Sequence, residues 1–195
     1  QPVQPFWEHQ YVIRYSKVER VSTIEDIEHP AVRACLRYLE IPHGVEITYS
    51  SDLPAMSGMG TSSAFTVGLL HALHGLRGEM VSAEQLAVEA IEVEQEILKE
   101  AVGSQDQVWA AFGGLRVIEF GPGTADFAVQ PVLLPPARIR ELERHLLLVF
   151  TGLQRQASVV AAEQIAATPS KSRELSSMQQ LVDAALQVLC RPKVP

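Results

Sequence analysis

The segment from Leu53 to Phe65 concentrates the residue types that bind anions. It reads Leu-Pro-Ala-Met-Ser-Gly-Met-Gly-Thr-Ser-Ser-Ala-Phe, between a predicted strand and a predicted helix. Gly58 and Gly60 let the backbone approach a ligand closely, and residues 61–63 add hydroxyl groups. The helix that follows would aim its free N–H groups and its positive dipole end at the same point. These features predict an anion site, most often for phosphate, with a plain Gly/Ser loop before a helix cap as the alternative.

Two other loop chemistries fit this segment less well. A P-loop needs the lysine of GxxxxGK[ST], and no lysine lies between Lys17 and Lys99. The serine-hydrolase elbow GxSxG is approached at Gly60–Ala64, but its final glycine is absent. A hydrolase that uses Ser62 stays an alternative, and its triad histidine would come from the downstream set of His71, His74 and His145.

Glu94 lies on the apolar side of the predicted helix that Ser82 caps. On a helical wheel the apolar quadrant is formed by Leu86, Ala90, Val93, Ile97 and Ala101. The opposite face, predicted to be solvated, carries Glu89, Glu92, Glu96 and Glu100. A buried ionised carboxylate is costly without a partner. That partner could be a metal ion, a backbone group or a hydroxyl, unless the helix end opens this face to solvent.

Asp106 follows Glu94 by twelve residues, within Gly-Ser-Gln-Asp-Gln at 103–107. The sequence predicts that it lies in a loop between a helix and a strand, where an aspartate is commonly only a turn former. Beside Glu94 and an anion loop, it would complete the set that magnesium-assisted phosphoryl transfer requires. One carboxylate holds the metal that neutralises phosphate charge, and the other orients or deprotonates the acceptor hydroxyl.

The glycine loop and the carboxylate pair together resemble the GHMP kinases, which include galactokinase, homoserine kinase, mevalonate kinase and phosphomevalonate kinase. Residues 53–64 resemble their central motif, roughly P-x-G-x-G-L-G-S-S-A. The stretch from Glu94 to Asp106 resembles the galactokinase segment in which a helical glutamate precedes the aspartate of G-x-x-D-Q. The resemblance spans roughly residues 11–162 and is closest to the branch acting on sugars and sugar phosphates, the heptose phosphate kinases in particular. The segments that resemble that branch are residues 16–19, 29–30, 58–65, 103–107 and 151–155.

The resemblance implies a site for ATP and Mg2+. Ser62, which matches the second serine of the motif, and Glu94 would hold Mg2+. Asp106 would be the base, or the positioning carboxylate, that faces the sugar hydroxyl. Arg155 is a candidate for binding a substrate phosphate, with a plain surface arginine as the alternative. The ATP phosphates would be wrapped by the loop residues Pro54, Ser57, Gly58, Met59, Gly60, Thr61, Ser62 and Ser63.

Two substitutions and two absences depart from the family pattern. Met56 replaces a usual glycine and Met59 a leucine. The family's first strand with its early loop is missing, and so is its closing glycine-rich segment. The chain is therefore expected to be the middle of a longer kinase, and its activity by itself is left open. A non-catalytic fragment that binds a nucleotide or a sugar is the alternative.

The expected fold is α+β, in two layers. Residues 1–121 are predicted to form a GHMP-kinase-like ATP-binding domain without its first part, and residues 122–195 a partial C-terminal α+β domain. The predicted boundary is the cluster of helix and strand breakers at 121–124. The predicted strands are 11–21, 45–50, 115–120, 127–134 and 145–151. The first predicted helix starts at 29–30 and ends before 42. Further helices are predicted over 64–76, 82–100, 154–167 and 174–189, and a connection or short helix over 136–142.

Composition narrows the classes of partner. The chain has 16 Lys and Arg against 23 Asp and Glu, which argues against a nucleic acid or an anionic membrane. Cys35 and Cys190 are too few for a disulfide framework. No apolar run approaches the ~18 residues that span a bilayer, and residues 1–10 lack a signal pattern. We expect a cytoplasmic protein with a small-molecule sugar or sugar-phosphate substrate, and the sequence leaves a homodimer open.

Overall fold

A computed structural model describes residues 1–4, 6, 8–52, 58–149 and 157–191, with the backbone alone at 157–160 and 162. Its strands are β1 (Tyr11–Arg14), β2 (Val18–Val21), β3 (Glu46–Thr48), β4 (Arg116–Phe120) and β5 (Phe127–Pro131). Its α-helices are α1 (Pro30–Tyr38), α2 (Thr61–Arg77), α3 (Ala83–Ile91), α4 (Gln105–Phe112), α5 (Pro136–Arg144), α6 (Ala157–Ala167) and α7 (Ser172–Cys190). A π-helix (Glu92–Ile97) continues α3, and a short 3-10 helix (Thr168–Ser170) follows α6.

The first three strands form one sheet in the order β2-β1-β3. β1 pairs antiparallel with β2 and parallel with β3, so that Ile13 lies opposite both Glu19 and Ile47. The prediction of a single strand over residues 11–21 is wrong. The polar residues 15–17 turn the chain, with the N–H of Tyr15 donating to the carbonyl of Lys17 over 2.8 Å, and β2 folds back on β1.

The core lies between this sheet and the helices. Its fully buried side chains include Ile13 of β1, Val32 and Leu36 of α1, and Leu70 of α2. Burying such aliphatic side chains contributes about 1.5 to 3 kcal/mol each. A sheet packed against helices confirms the predicted α+β class.

The helix predicted over residues 82–100 changes character halfway. Ser82 caps it as predicted, because its Oγ accepts from the N–H of Gln85 over 3.1 Å. After Ile91 the chain widens into the π-helix, where the N–H of Leu98 donates to the carbonyl of Val93 over 2.9 Å. Lys99 ends the segment with a φ of 56°, in the left-handed region. Such single wide turns inside helices occur frequently at functional sites.

The segment predicted as a loop at 102–107 is partly helical. α4 begins at Gln105, so Asp106 lies in its first turn and not in a loop. A short polar run after Gly103 is a weak helix signal, because only Val108 and later residues supply an apolar face. The helix is held by the packing of Val108 against Ala87 and Ile91 of α3.

β4 and β5 pair with each other as an antiparallel hairpin. Phe127 and Val129 of β5 pack against the same small cluster as Val108. The cluster of breakers at 121–124 therefore forms the hairpin turn, and the division of the chain into domains at 121 stays a prediction.

The part of the chain that follows β5 has few buried side chains. No residue of α5 or of α7 is buried. The strand predicted over 145–151 is absent from its described residues 145–149, and 150–151 lie outside the described residues. Residues 146–149 (Leu-Leu-Leu-Val) are all exposed. None of the helices described is both long and apolar enough to cross a membrane.

A buried histidine joins α2 to α3. His74 of α2 is 4% exposed, and its two ring nitrogens each lie 2.8 Å from a carboxylate oxygen, Nδ1 from Glu79 and Nε2 from Glu89. The sequence predicted Glu89 on a solvated face, which is wrong, because Glu89 is only 7% exposed. Burial lowers the pKa of His74, but the hydrogen bonds to Glu89 and Glu79 and their charges outweigh it and raise the pKa above its usual value.

This histidine makes stability depend on pH. Because the folded state binds the proton of His74 more tightly than the unfolded chain, its contribution is complete below the unfolded pKa of about 6.5 and is lost as the pH rises through the folded pKa. We expect the free energy of unfolding, measured by urea denaturation at several pH values, to fall as the pH rises over this range. His74→Gln should remove this slope, whereas His71→Gln, at an exposed position of the same helix, should keep it. An unchanged slope in His74→Gln would contradict the assignment.

Candidate active site

The start of α2 has the geometry of an anion site. Gly60 precedes the helix with a φ of 68° and Gly58 has a φ of 71°, both in the region that favours glycine. Among the described residues no side chain caps this helix end, which leaves its first N–H groups open to a ligand. Pro54 and Ser57, predicted in the same loop, lie outside the described residues, as does Arg155.

Asp106 lies directly against the glycine loop. A Cβ atom built on Gly60 would be 3.2 Å from both Cγ and Oδ2 of Asp106. The absence of a side chain at Gly60 therefore gives the carboxylate room beside the start of α2. Asp106 is also exposed, so its carboxylate is accessible to a ligand that binds the loop.

Glu94 is buried on the other side of this helix end, at 1% exposure. Its Oε2 accepts hydrogen bonds from Oγ of Ser63 over 2.9 Å and from Nε2 of Gln107 over 2.5 Å. Its Oε1 has no hydrogen-bond partner among the described residues. Of the partners that the sequence left open, a hydroxyl is present, but it satisfies only one of the two oxygens.

Burial dominates the pKa of Glu94. Loss of solvent raises this pKa, and the nearby polar side chains of Thr66, Ser63 and Gln107 lower it without cancelling the rise. The site therefore holds a carboxyl group whose ionised form needs a further positive partner. A cation at Oε1 would supply it.

The residues around Glu94 fit Mg2+, which prefers oxygen ligands and uses one or two carboxylates together with substrate phosphates. No cluster of three or more His, Cys, Asp or Glu side chains suited to a metal occurs among the described residues. The hydroxyl that contacts Glu94 belongs to Ser63, whereas Ser62 is exposed and its carbonyl accepts from Oγ1 of Thr66 over 3.2 Å. The metal-binding role of Ser62 and Glu94 stays a prediction.

Four half-buried rings form a wall beside the first turns of α2. The rings of Tyr49 and Phe65 have centroids 4.3 Å apart, and His29 lies 5.2 Å from Phe65. Tyr15 stacks on Tyr49 at 5.9 Å, with an interplanar angle of 5°. This aromatic wall, made of Tyr15, His29, Tyr49 and Phe65, joins the ends of β1 and β3 to the starts of α1 and α2.

Glu19 holds the aromatic wall from behind. It is 4% exposed and accepts from the hydroxyl of Tyr15 over 2.8 Å and from the N–H groups of Glu28 and His29 over 2.5 and 3.2 Å. Burial raises the pKa of Glu19, but these hydrogen bonds lower it more, so the net shift is downward. The carboxylate therefore fixes the entry to α1 relative to β1.

Two of the three candidate histidines are poorly placed to serve a hydrolase centred on Ser62. Both ring nitrogens of His74 are bonded to carboxylates, so His74 is not available as a base. His71 lies at an exposed position of the helix that Ser62 itself begins.

One protein-family model matches part of the chain. Residues 26–114 match the model for the GHMP kinases N terminal domain, a segment that contains the glycine loop, Glu94 and Asp106. The matched segment, somewhat less than half of the chain, is thus similar to the GHMP kinases N terminal domain.

Two curated relatives are sugar kinases by name. The chain is 36% identical over 115 residues to the D-glycero-alpha-D-manno-heptose 7-phosphate kinase of Campylobacter jejuni, an alignment that covers 56% of this chain and 32% of that one. It is 31% identical over 144 residues to the bifunctional fucokinase/GDP-fucose pyrophosphorylase of Arabidopsis thaliana, covering 73% and 14%. Over the aligned part, the chain is thus similar to two proteins that are named as sugar kinases.

Solved structures share the fold. A sugar-kinase structure from Campylobacter jejuni matches with a TM-score of 0.65 at 24% identity, and a mevalonate kinase with a TM-score of 0.62 at 17% identity. Each match covers 96% of this chain and 62% of the other. The chain thus spans less than two thirds of these structures and about a third or less of the curated relatives.

Sequence reasoning missed several residues of the site. Gln107 stands beside Asp106 in the motif at 103–107, but nothing in its type indicated a buried bond to Glu94. Whether Ser62 or Ser63 contacts Glu94 depends on the rotation of α2 about its axis, which the prediction of a loop does not give. Tyr15 and Tyr49 carried no signal, because aromatic residues in strands are common.

Glu94→Gln should stabilise the chain in the absence of a divalent cation. The substitution removes a buried charge with one unpartnered oxygen, and we expect the free energy of unfolding near neutral pH to rise on the order of 1 kcal/mol. Urea denaturation measures the change. Glu96→Gln, at an exposed position of the same π-helix, should leave stability nearly unchanged. A loss of stability in Glu94→Gln would mean that the carboxylate is already compensated by the protein.

Proposed function

We propose that the protein is an ATP-dependent kinase that transfers the γ-phosphoryl group to a hydroxyl of a sugar or a sugar phosphate. The observation that carries the proposal is the position of Asp106, whose exposed carboxylate lies against Gly60 at the start of α2. An anion-binding helix end beside an accessible carboxylate is the arrangement that phosphoryl transfer to a hydroxyl requires.

In this proposal the loop and α2 bind the donor. The glycines allow the ATP phosphates to approach the backbone, and the free N–H groups at the start of α2 bind their oxygens. The same end of the helix dipole stabilises the negative charge of the transferred group. Positioning and electrostatics supply most of the rate enhancement in such reactions.

Asp106 acts on the acceptor. The substrate hydroxyl donates a hydrogen bond to the carboxylate, which orients the oxygen towards the γ-phosphorus. As the new oxygen–phosphorus bond forms and the bond to ADP breaks, the hydroxyl proton passes to Asp106. No covalent enzyme intermediate is needed.

Mg2+, when bound, would neutralise phosphate charge, and Glu94 together with a hydroxyl at the start of α2 would hold it. Ser62 was predicted for this hydroxyl, and Ser63 is the one already in contact with Glu94. The heptose phosphate kinase and fucokinase relatives support a sugar or a sugar phosphate as the acceptor.

Asp106→Asn tests the proposal. The amide cannot accept the proton, so we expect kcat to fall by about 10^2- to 10^4-fold while the affinity for ATP is retained. ADP release with heptose, fucose and their phosphates as acceptors measures the first quantity, and calorimetric titration with ATP the second. Asp183→Asn, on the exposed surface of α7, serves as the control and should retain full activity.

Two outcomes would contradict this proposal in different ways. Full activity in Asp106→Asn would exclude Asp106 from the reaction. ATP binding without any ADP release in the wild-type chain would instead favour the non-catalytic binding fragment.

A further inference from the structure

The amide of Gln107 has a place in the site that the roles above do not explain. Its side chain is 0% exposed, and Nε2 donates to Oε2 of Glu94 over 2.5 Å. The reversed amide would set Oε1 of Gln107 against a carboxylate oxygen, and two acceptors repel each other. The donor end of the amide therefore faces Glu94.

The hydroxyl of Ser63 and the amide of Gln107 converge on the same oxygen of Glu94. Ser63 and Gln107 bond to Oε2, whereas Oε1 is buried without a hydrogen-bond partner among the described residues. An unsatisfied buried acceptor is costly unless a ligand completes it. Two donors on one oxygen also fix the rotation of the carboxylate, so the direction of the free oxygen is set before a ligand arrives.

We propose that Gln107 is a positioning residue, whose amide holds Oε2 of Glu94 and thereby presents Oε1 to Mg2+. This inference rests on the proposed function, because it requires the metal-binding role of Glu94. Hydrogen bonds that orient a metal ligand from behind typically change metal affinity by about 10- to 100-fold.

The same turn of helix connects the two carboxylates of the site. Asp106 and Gln107 are neighbours in the first turn of α4, with Asp106 exposed beside Gly60 and Gln107 buried against Glu94. The bond from Gln107 therefore keeps the start of α4 seated on the π-helix. The start of α4 thus carries one carboxylate of the site and the amide that contacts the other.

Gln107→Met tests the inference. Methionine keeps the length and volume of the side chain but has no N–H donor, so the fold is expected to survive. Titration of the full chain with Mn2+, followed by electron paramagnetic resonance without nucleotide, should show a dissociation constant raised by about 10- to 100-fold. The matched control is Gln95→Met, because the amide of Gln95 bonds to Val102 and Ser104 and not to Glu94. This control should bind Mn2+ as the wild type does.

Glu94→Gln separates a failure of the inference from a failure of the proposed function. If Glu94→Gln loses Mn2+ while folded Gln107→Met keeps wild-type affinity, the positioning role is wrong and the metal role stands. If the wild type binds no Mn2+, or Glu94→Gln binds it equally well, both roles are wrong. Should circular dichroism show that Gln107→Met is unfolded, Gln107→Asn replaces it. The shorter amide falls short of Glu94, so the same weakening is expected, and wild-type affinity there would overturn the inference.

Discussion

A carboxyl group at 1% exposure has to be compensated by its surroundings, and in this chain that requirement falls on Glu94. Three elements meet because of it. The start of α2 supplies the hydroxyl of Ser63, α4 supplies the amide of Gln107, and the π-helix carries the carboxylate between them. Neither contact brings a positive charge to the carboxylate, so its compensation by these two side chains is incomplete. The unpartnered Oε1 of Glu94 is expected to lower the stability of the protein when no ligand is bound.

The helix α2 serves this site along its whole length. Its first turns form the proposed anion site and carry Ser63, which bonds to Glu94, and Phe65, which belongs to the aromatic wall. His74, near the other end of α2, is bonded to Glu89 of α3. α3 leads directly into the π-helix. The bond between His74 and Glu89 and the bond from Ser63 to Glu94 therefore connect α2 to this continuous segment at two points. A rigid scaffold of this kind holds catalytic groups more precisely than loops alone would.

The sequence predicted those features of the site that depend on local pattern. Glu94 could be found because an apolar face repeats at helical spacing around it, and the glycine loop because glycines and hydroxyls precede a helix. Glu89 could not be placed, since its burial depends on His74, which belongs to another helix. Asp106 was assigned to a loop because the packing that makes α4 a helix comes from α3, a long-range effect that residues 103–107 do not encode. The bonds of Ser63 and Gln107 to Glu94 were missed for the same reason.

The π-helix also limits where residues can be inserted into or deleted from this chain. Each residue of a helix turns the chain by about 100°, so removing one residue between Ile91 and Glu94 would rotate the carboxylate away from Ser63 and Gln107. A deletion there would restore the regular hydrogen bonding of an α-helix. It would also separate Glu94 from Ser63 and Gln107, and the contacts of the carboxylate would be lost. Insertions and deletions are therefore expected to be tolerated in the hairpin turn at 121–126 and rejected in residues 92–97, even though both segments are short and each lies at the end of a regular element.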